Sequence, residues 1–181
     1  MADKTAFRTD GGAAWLNLLA TRGQAFGAHP IERLQGPDDL QRWLTLMGLR
    51  PREAPSESDL KETVRLRETL RGLAMAAVEP SPPRELRVDA LLEFSAKGNP
   101  ALAGAPLGDV ASALSALAIQ ATLTLRGPDR ALLRQCDEVD CRWVFLDSSG
   151  RRRWCPAAAC ASRGRVRAHR AAAAVGASSP S

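Results

Sequence analysis

Apolar side chains recur every three or four residues along most of the first 130 positions, which is the spacing of one face of a helix. The clearest case is the stretch 57–78, where Leu66, Leu70, Leu73 and Ala77 fall on one side. Weaker versions of the pattern predict helices before and after it. The predicted helices cover residues 13–22, 37–47, 57–78, 85–96, 109–126 and 129–135. This part of the chain therefore predicts a mainly α-helical fold.

The helix boundaries are marked by residues that cap or break helices. Ser56 followed by Asp59 has the form of a capping box, in which each residue's side chain bonds to the other's backbone N–H. Asp38 and Asp39 lie in the first turn of the second predicted helix, where the helix dipole favours acidic side chains. The proline-rich residues 79–83 end the long helix. Residues 97–108 predict a loop.

The pattern changes after residue 135. Residues 142–146 are β-prone, residues 147–150 have the composition of a turn, and residues 151–154 are able to return as a second strand. An Ala- and Arg-rich helical stretch follows. The fold class that we predict is a helical N-terminal domain followed by a small loop–β-hairpin–helix module.

All four cysteines of the 181-residue chain lie in this module. Cys136 and Cys141 form one C-x4-C pair, and Cys155 and Cys160 form a second pair thirteen residues further on. Two close pairs separated by a short span supply the four thiolates of a tetrahedral zinc site. Four thiolates leave no open coordination position, so the predicted zinc has a structural role.

Two other interpretations of the cysteines are open: two disulfides, or four unrelated buried thiols. Disulfides need an oxidising compartment. The N-terminal residues 1–5 do not have the form of a signal peptide, and no apolar run approaches the length of a membrane span. We therefore expect a cytoplasmic protein with reduced cysteines.

The net charge of +5 is confined to one end of the chain. Residues 1–133 carry sixteen basic and sixteen acidic side chains, whereas residues 134–181 carry nine arginines and four acids. No acid occurs after Asp147. Zinc on four thiolates lowers the charge of the module to about +3. A neutral body with a basic end indicates an anionic partner for that end.

Arginines of the module are the candidates for that contact. Cys155 is predicted to cap the last helix, with Pro156 at its first position. Arg163, Arg167 and Arg170 are spaced four and three apart, which places them on one helix face. Such a face suits phosphate contact, and the alternative is a solvated face on a structural finger. The predicted nucleic-acid-binding residues are Arg151, Arg152, Arg153, Arg163, Arg167 and Arg170.

The module resembles the CGNR-type zinc finger of bacterial proteins. In that family a C-x4-C pair precedes an aromatic hairpin and a basic turn, and a second C-x4-C pair ends in the name motif. Cys160-Ala161-Ser162-Arg163 stands where Cys-Gly-Asn-Arg is expected, so two of the four name residues differ. The other matching residues are Trp143, Phe145, Asp147, Arg152, Arg153, Trp154 and Cys155. The resemblance implies zinc binding by the four cysteines.

The helical part resembles the ABATE domain, which precedes this finger in proteins assigned to stress-induced transcription regulation. The likeness lies in residues 16–22, 37–44 and 66–71. It implies a domain organisation of a helical ABATE-like domain at 1–133, the finger at 134–172 and a flexible tail at 173–181. This chain is shorter than the family between residues 97 and 109, where relatives often carry β structure.

Other polar residues offer little chemistry. His169 lies nine residues after Cys160 and is a weaker candidate ligand, and His29 is predicted to be a solvated loop residue. Thr21 and Arg22 match the ABATE pattern. They either have a structural role or bind a small-molecule effector. The sequence contains no arrangement typical of a catalytic site, so we expect no enzymatic activity.

The sequence thus predicts a bacterial zinc-dependent, DNA-binding transcription regulator. The helical domain would sense an effector or dimerise, and the finger would contact DNA. The alternative is a zinc-stabilised protein–protein adaptor that binds no nucleic acid.

Overall fold

The computed structural model describes residues 6–98 and 108–177, with side chains up to residue 170. These residues form six α-helices and two two-stranded antiparallel sheets, in agreement with the predicted mainly α class. The helices are α1 Ala14–Leu19, α2 Pro37–Leu46, α3 Glu57–Ala77, α4 Asp89–Lys97, α5 Val110–Arg126 and α6 Ala158–Ala177. The strands are β1 Arg22–Gly23, β2 Ile31–Glu32, β3 Leu133–Gln135 and β4 Val144–Leu146, and a 3-10 helix covers Pro128–Leu132.

The long helices begin where the sequence predicts them. Ser56 and Asp59 form the predicted capping box at the start of α3, with the Asp59 N–H donating to the Ser56 hydroxyl at 3.2 Å. Asp109 caps α5 by accepting from the Ser112 N–H at 2.7 Å. Each cap satisfies a backbone N–H that has no partner inside the helix. Helix α4 begins at Asp89, four residues later than predicted, and Leu86 and Val88 are buried ahead of it.

The core is built around the short helix α1. All residues from Trp15 to Leu19 are buried, so α1 presents no amphipathic face and is enclosed by its neighbours. The Trp15 indole N–H donates to the Thr124 hydroxyl of α5 at 3.2 Å. Leu66 and Leu70 of α3 pack in the same cluster. The fold of the body therefore depends on α3 and α5 holding α1 between them.

A buried arginine lies at the polar end of this core. Arg67 of α3 is 1% exposed, and it donates two hydrogen bonds of 2.7 Å to the Glu32 carboxylate, one of 3.0 Å to the Thr21 hydroxyl and one of 2.9 Å to Glu68. Burial alone would raise the pKa of Glu32, but the bonds from Arg67 and from the backbone hold this pKa below its ordinary value. A carboxylate of this kind stabilises the fold above its ordinary pKa of about 4.5, and the contribution is lost as the pH falls through the lower folded value. Thr21, a candidate for effector binding, thus has a structural contact.

Two features of the strands differ from the prediction. Strands β1 and β2 were not predicted, because two-residue strands show no alternation of apolar and polar positions. The expected helix at 129–135 is correct only in its first part: a 3-10 helix ends at Leu132, and residues 133–135 form β3.

The predicted hairpin exists with a different partner strand. Strand β4 pairs with β3 in the register Leu133↔Leu146 and Gln135↔Val144, not with residues 151–154. The reason lies in Asp147, whose carboxylate accepts from the N–H groups of Ser149 and Arg152 at 3.1 and 2.8 Å. These bonds, together with the one of 3.2 Å from the Gly150 N–H to the Asp147 carbonyl, close the turn and direct the return segment away from the sheet.

The hairpin packs directly on the helical body. The Trp143 indole N–H donates to the Leu16 carbonyl of α1 at 2.8 Å, and the Leu146 N–H donates to the Gly11 carbonyl at 3.0 Å. Trp143, Phe145 and the cysteines belong to the same hydrophobic cluster as α1. The predicted boundary between residues 133 and 134 falls inside β3.

Parts of the predictions lie beyond the described residues. The predicted loop at 97–108, where the family's β structure would fall, is described only at its two ends. Helix α6 continues to residue 177, into the predicted tail. Among the helices that the structure describes, none has both the length and the apolar composition needed to cross a membrane.

We expect Arg67→Met to destabilise the protein by roughly 3 kcal/mol, because it leaves Glu32 and Glu68 without their shared buried cation. Arg65→Met is the matched control: Arg65 lies on the same helix in a surface network with Glu62 and Glu93, and its loss should cost less than about 1 kcal/mol. Urea unfolding at pH 7 measures both values. The difference between wild type and Arg67→Met should shrink below about pH 4 as Glu32 protonates. Equal losses in the two variants would contradict a stabilising role for Arg67.

Candidate zinc centre

The first cysteine pair lies on a tight turn that follows β3. The Cys136 N–H donates to the Trp143 carbonyl at 2.9 Å, so the ladder of the hairpin continues to the first cysteine. The Cys141 and Arg142 N–H groups both donate to the Glu138 carbonyl at 2.9 Å. Arg142 has a φ of 45°, a left-handed conformation that lets the chain reverse directly after Cys141. Both sulfurs therefore come from one turn.

The second pair lies at the start of α6. Cys155 precedes the helix and Cys160 is in its first turn, where the Cys160 N–H donates to the Ala157 carbonyl at 3.0 Å. The prediction that Cys155 caps the helix is wrong, because α6 begins at Ala158. Residues 155–157 precede the helix, and the sulfur of Cys155 lies beside those of Cys136 and Cys141. The Asp137 N–H donates to the Arg153 carbonyl at 2.9 Å, which holds the segment before Cys155 against the turn of the first cysteine pair.

The four sulfurs converge on one point. All four Sγ atoms lie within 4.8 Å of one another, and three of the cysteines are buried while Cys141 is partly exposed. A zinc ion with four sulfurs at about 2.3 Å places them about 3.8 Å apart, so small movements close the cluster on the metal. The four cysteines are free thiols, and the described residues place no histidine among them, so His169 is not part of the cluster. The donor set fits Zn²⁺ in a closed, structural site.

Cationic groups offset the negative charge of the thiolates. The Arg163 guanidinium donates to Cys160 Sγ at 3.5 Å, and that of Arg8 donates to Cys155 Sγ at 3.9 Å. Hydrogen bonding with Cys136, the largest cause, and with Cys141 and Cys160 lowers the pKa of the Cys155 thiol. Hydrogen bonding with Cys136 raises the pKa of Cys141, because the crowded sulfurs do not all lose their protons without a cation. Zinc supplies that cation when bound.

Half of the arginines predicted to contact nucleic acid are engaged within the finger. Arg163 and Arg167 lie 3.5 and 3.0 Å from the Glu138 carboxylate, whose side chain is fully buried. Arg167 also forms an ion pair with Asp140 at 2.5 Å. Arg153 pairs with Asp137 at 3.0 Å. These contacts join α6 and the return segment to the acidic turn between Cys136 and Cys141, which carries Asp137, Glu138 and Asp140.

The other predicted arginines are exposed. Arg151, Arg152 and Arg170 form no ion pair with any carboxylate that the structure describes. Arg165 shares this property and was missed, because it lies on the side of α6 opposite to the predicted stripe. The helical spacing alone was enough to predict that Arg165 is exposed.

Trp154 joins the return segment to α6. A Cβ placed on Gly164 would lie 2.3 Å from the Trp154 indole nitrogen, so only glycine lets the ring lie against the helix. The Arg153 guanidinium lies over the Trp154 ring, 5.1 Å from its centre.

A hairpin and a helix closed around four cysteines define a structural zinc-binding module. The model of the CGNR zinc finger family matches residues 132–173, which include β3, β4, all four cysteines and most of α6. No curated protein matches the chain. The match agrees with the predicted finger and with its zinc, whereas the ABATE resemblance of the helical body stays a prediction.

We expect the double variant Arg163→Met/Arg167→Met to lose roughly 2 kcal/mol of stability, because Glu138 stays buried without a cation. The value is below that of a fully enclosed pair, since both guanidinium groups are partly exposed. The same variant should release zinc faster to a chelator. The control Arg165→Met/Arg170→Met changes the same helix by the same charge and should alter neither quantity.

Adding Glu138→Gln to the Arg163→Met/Arg167→Met variant removes the unpaired buried charge, so part of the lost stability should return. Zinc release is followed with a colorimetric chelator, and stability by urea unfolding. Indistinguishable results for the two double variants would show that the ion pairs to Glu138 do not hold α6.

Proposed function

We propose that the protein is a zinc-dependent DNA-binding regulator whose finger contacts DNA phosphates. The observation that supports this is the division of the finger's arginines into two sets. Arg163 and Arg167 neutralise a buried carboxylate, whereas Arg151, Arg152, Arg165 and Arg170 are exposed without an ion pair among the described residues. Guanidinium groups of the second set are available for phosphate contact.

Zinc makes this surface rigid. The thiolates define the start of α6, and the pairs to Glu138 orient the helix about its axis. Because the backbone that carries the exposed arginines is already ordered, less conformational entropy is lost when they bind, and each phosphate contact contributes more. In this proposal the metal has no catalytic part, because four sulfurs fill its coordination. The protein is then a binding module and not an enzyme.

This proposal revises the set of DNA-contacting residues. Contact by Arg153, Arg163 or Arg167 would compete with their ion pairs to Asp137, Glu138 and Asp140. We therefore assign phosphate contact to Arg151, Arg152 and Arg170, and a positioning role to Arg153, Arg163 and Arg167. Arg165 is also exposed, but it lies on the side of α6 opposite to Arg170. The helical body would carry the regulatory part, and the link to stress-response regulation depends on the ABATE resemblance.

A protein–protein adaptor is the second candidate, and two exposed apolar side chains favour it. Val139, on the turn between Cys136 and Cys141, is 53% exposed, and Val166 on α6 is 47% exposed. A partner protein whose surface carries both acidic and apolar side chains would complement these valines and the arginines around them. Binding to duplex DNA separates the two candidates.

We expect the zinc-loaded protein to bind a fluorescent random-sequence duplex with a salt-dependent affinity, measured by anisotropy. Arg151→Gln/Arg152→Gln/Arg170→Gln should flatten the log–log salt slope by about 2.7, since each lost phosphate contact removes about 0.9. The control Arg50→Gln/Arg52→Gln/Arg87→Gln removes the same charge from exposed positions of the body and should leave the slope nearly unchanged.

Two results would contradict the proposal. One is the absence of DNA binding by the zinc-loaded protein at low salt. The other is an equal change of slope in both triple variants, which would indicate a general effect of net charge. Retained zinc in the finger variant shows that a weaker affinity comes from lost contacts and not from unfolding.

A further inference from the structure

A cavity of about 390 Å³ lies between the helical body and the zinc finger. The body supplies one wall with Arg22 of β1, Ile31 of β2 and Arg71 of α3. The finger supplies the other wall, which includes Cys141 and Cys160 of the zinc cluster. This volume is in the range of sites for small organic molecules.

Among the described residues, five arginines line the cavity and no aspartate or glutamate does: they are Arg8, Arg22, Arg33, Arg71 and Arg163. The carboxylates that pair with them, such as Asp10, Glu68 and Glu138, do not face the cavity. Arg8 and Arg163 also donate to the cysteine sulfurs, so part of their charge offsets the zinc–thiolate cluster. The body wall is therefore where an incoming anion finds cationic donors.

Two arginines of that wall, Arg22 and Arg71, share the carboxylate of Glu68 with the buried Arg67 behind them. Glu68 lies 3.8 Å from Arg22, 2.9 Å from Arg67 and 3.1 Å from Arg71. Burial lowers the pKa of the Arg71 guanidinium, and repulsion by Arg67 and Arg22 adds to this effect against the attraction of Glu68. Like charges thus remain close together at the cavity surface. A bound anion would relieve this repulsion.

The rest of the lining is apolar. Phe7, Ile31 and the buried Trp143 face the cavity, together with Ala157 and with Ala159 of α6. Trp143 is fixed by its hydrogen bond to the Leu16 carbonyl and by Arg8, which stacks 4.6 Å from its ring centre. A ligand that fits both surfaces has an anionic head and an apolar tail.

We propose that this cavity binds a small amphipathic organic anion, with a carboxylate or phosphate head against Arg22 and Arg71 and an apolar tail against Trp143 and Ile31. The proposal does not depend on DNA binding. Because the two walls belong to the helical body and to the finger, the ligand would contact both and favour the arrangement in which they are joined. The site would then be the place where a small molecule influences the finger.

The probe is the fluorescent anion anilinonaphthalene sulfonate, titrated into the zinc-loaded full chain. We expect one saturable site per chain. Octanoate and octyl phosphate should displace the probe, and the one that acts at the lower concentration identifies the preferred head group. The uncharged octanol has the same tail and should displace it at least about tenfold less well, because it lacks the charge-assisted hydrogen bonds.

Two independent variants test the position of the site. Arg22→Gln should weaken probe binding about tenfold, while Arg87→Gln, at a residue 91% exposed and away from the cavity, should not. Ala159→Asp places a negative charge on the cavity wall in the first turn of α6, where an acid suits the helix. Its control, Ala158→Asp, adds the same charge one residue earlier, outside the lining.

The proposal predicts weaker binding in Arg22→Gln and Ala159→Asp and unchanged binding in both controls, with full zinc content in all four variants. It is overturned if the probe shows no saturable binding, or if octanol competes as well as octanoate. It is also overturned if each variant behaves like its control.

Discussion

The convergence of four sulfurs is the contact on which the rest of the finger depends. Cys136 and Cys141 come from the turn after β3, and Cys155 and Cys160 come from the start of α6. Joining these two segments brings α6 over the acidic turn, so that Arg163 and Arg167 reach Glu138. The same closure holds the hairpin in the position where Trp143 bonds to the Leu16 carbonyl of the body. Zinc is therefore coupled through Trp143 to the core around α1.

Both parts of the molecule pair a buried charged side chain with partly exposed side chains of opposite charge. In the body, Arg67 is enclosed and its partners Glu32 and Glu68 come from the surface. In the finger, Glu138 is enclosed and its partners Arg163 and Arg167 come from the surface of α6. Each arrangement makes the removal of a partner costly, because a single buried charge would remain. Both therefore fix how one element lies on another.

The sequence was sufficient for features that depend on local spacing. The helix pattern of α3, the capping box of Ser56 and Asp59 and the two C-x4-C pairs each express a physical requirement over a few neighbouring residues. Features that depend on distant partners were not predictable. The hairpin strand pairs with β3 because the Asp147 carboxylate turns the chain away from residues 151–154. Arg163 and Arg167 satisfied the spacing of a binding stripe, yet their partner Glu138 lies twenty or more positions away, so the sequence did not show that they are engaged.

Hydrogen–deuterium exchange with and without a zinc chelator tests the coupling between the metal and the shared core most directly. We predict that removal of zinc increases exchange in β4 and α6, and that a smaller increase occurs in α1, which Trp143 covers. The middle of α3, including the turn around Arg67, should stay protected by its own contacts in the body. Unchanged exchange in β4, α6 and α1 after complete loss of the metal would show that zinc does not hold the finger against the body.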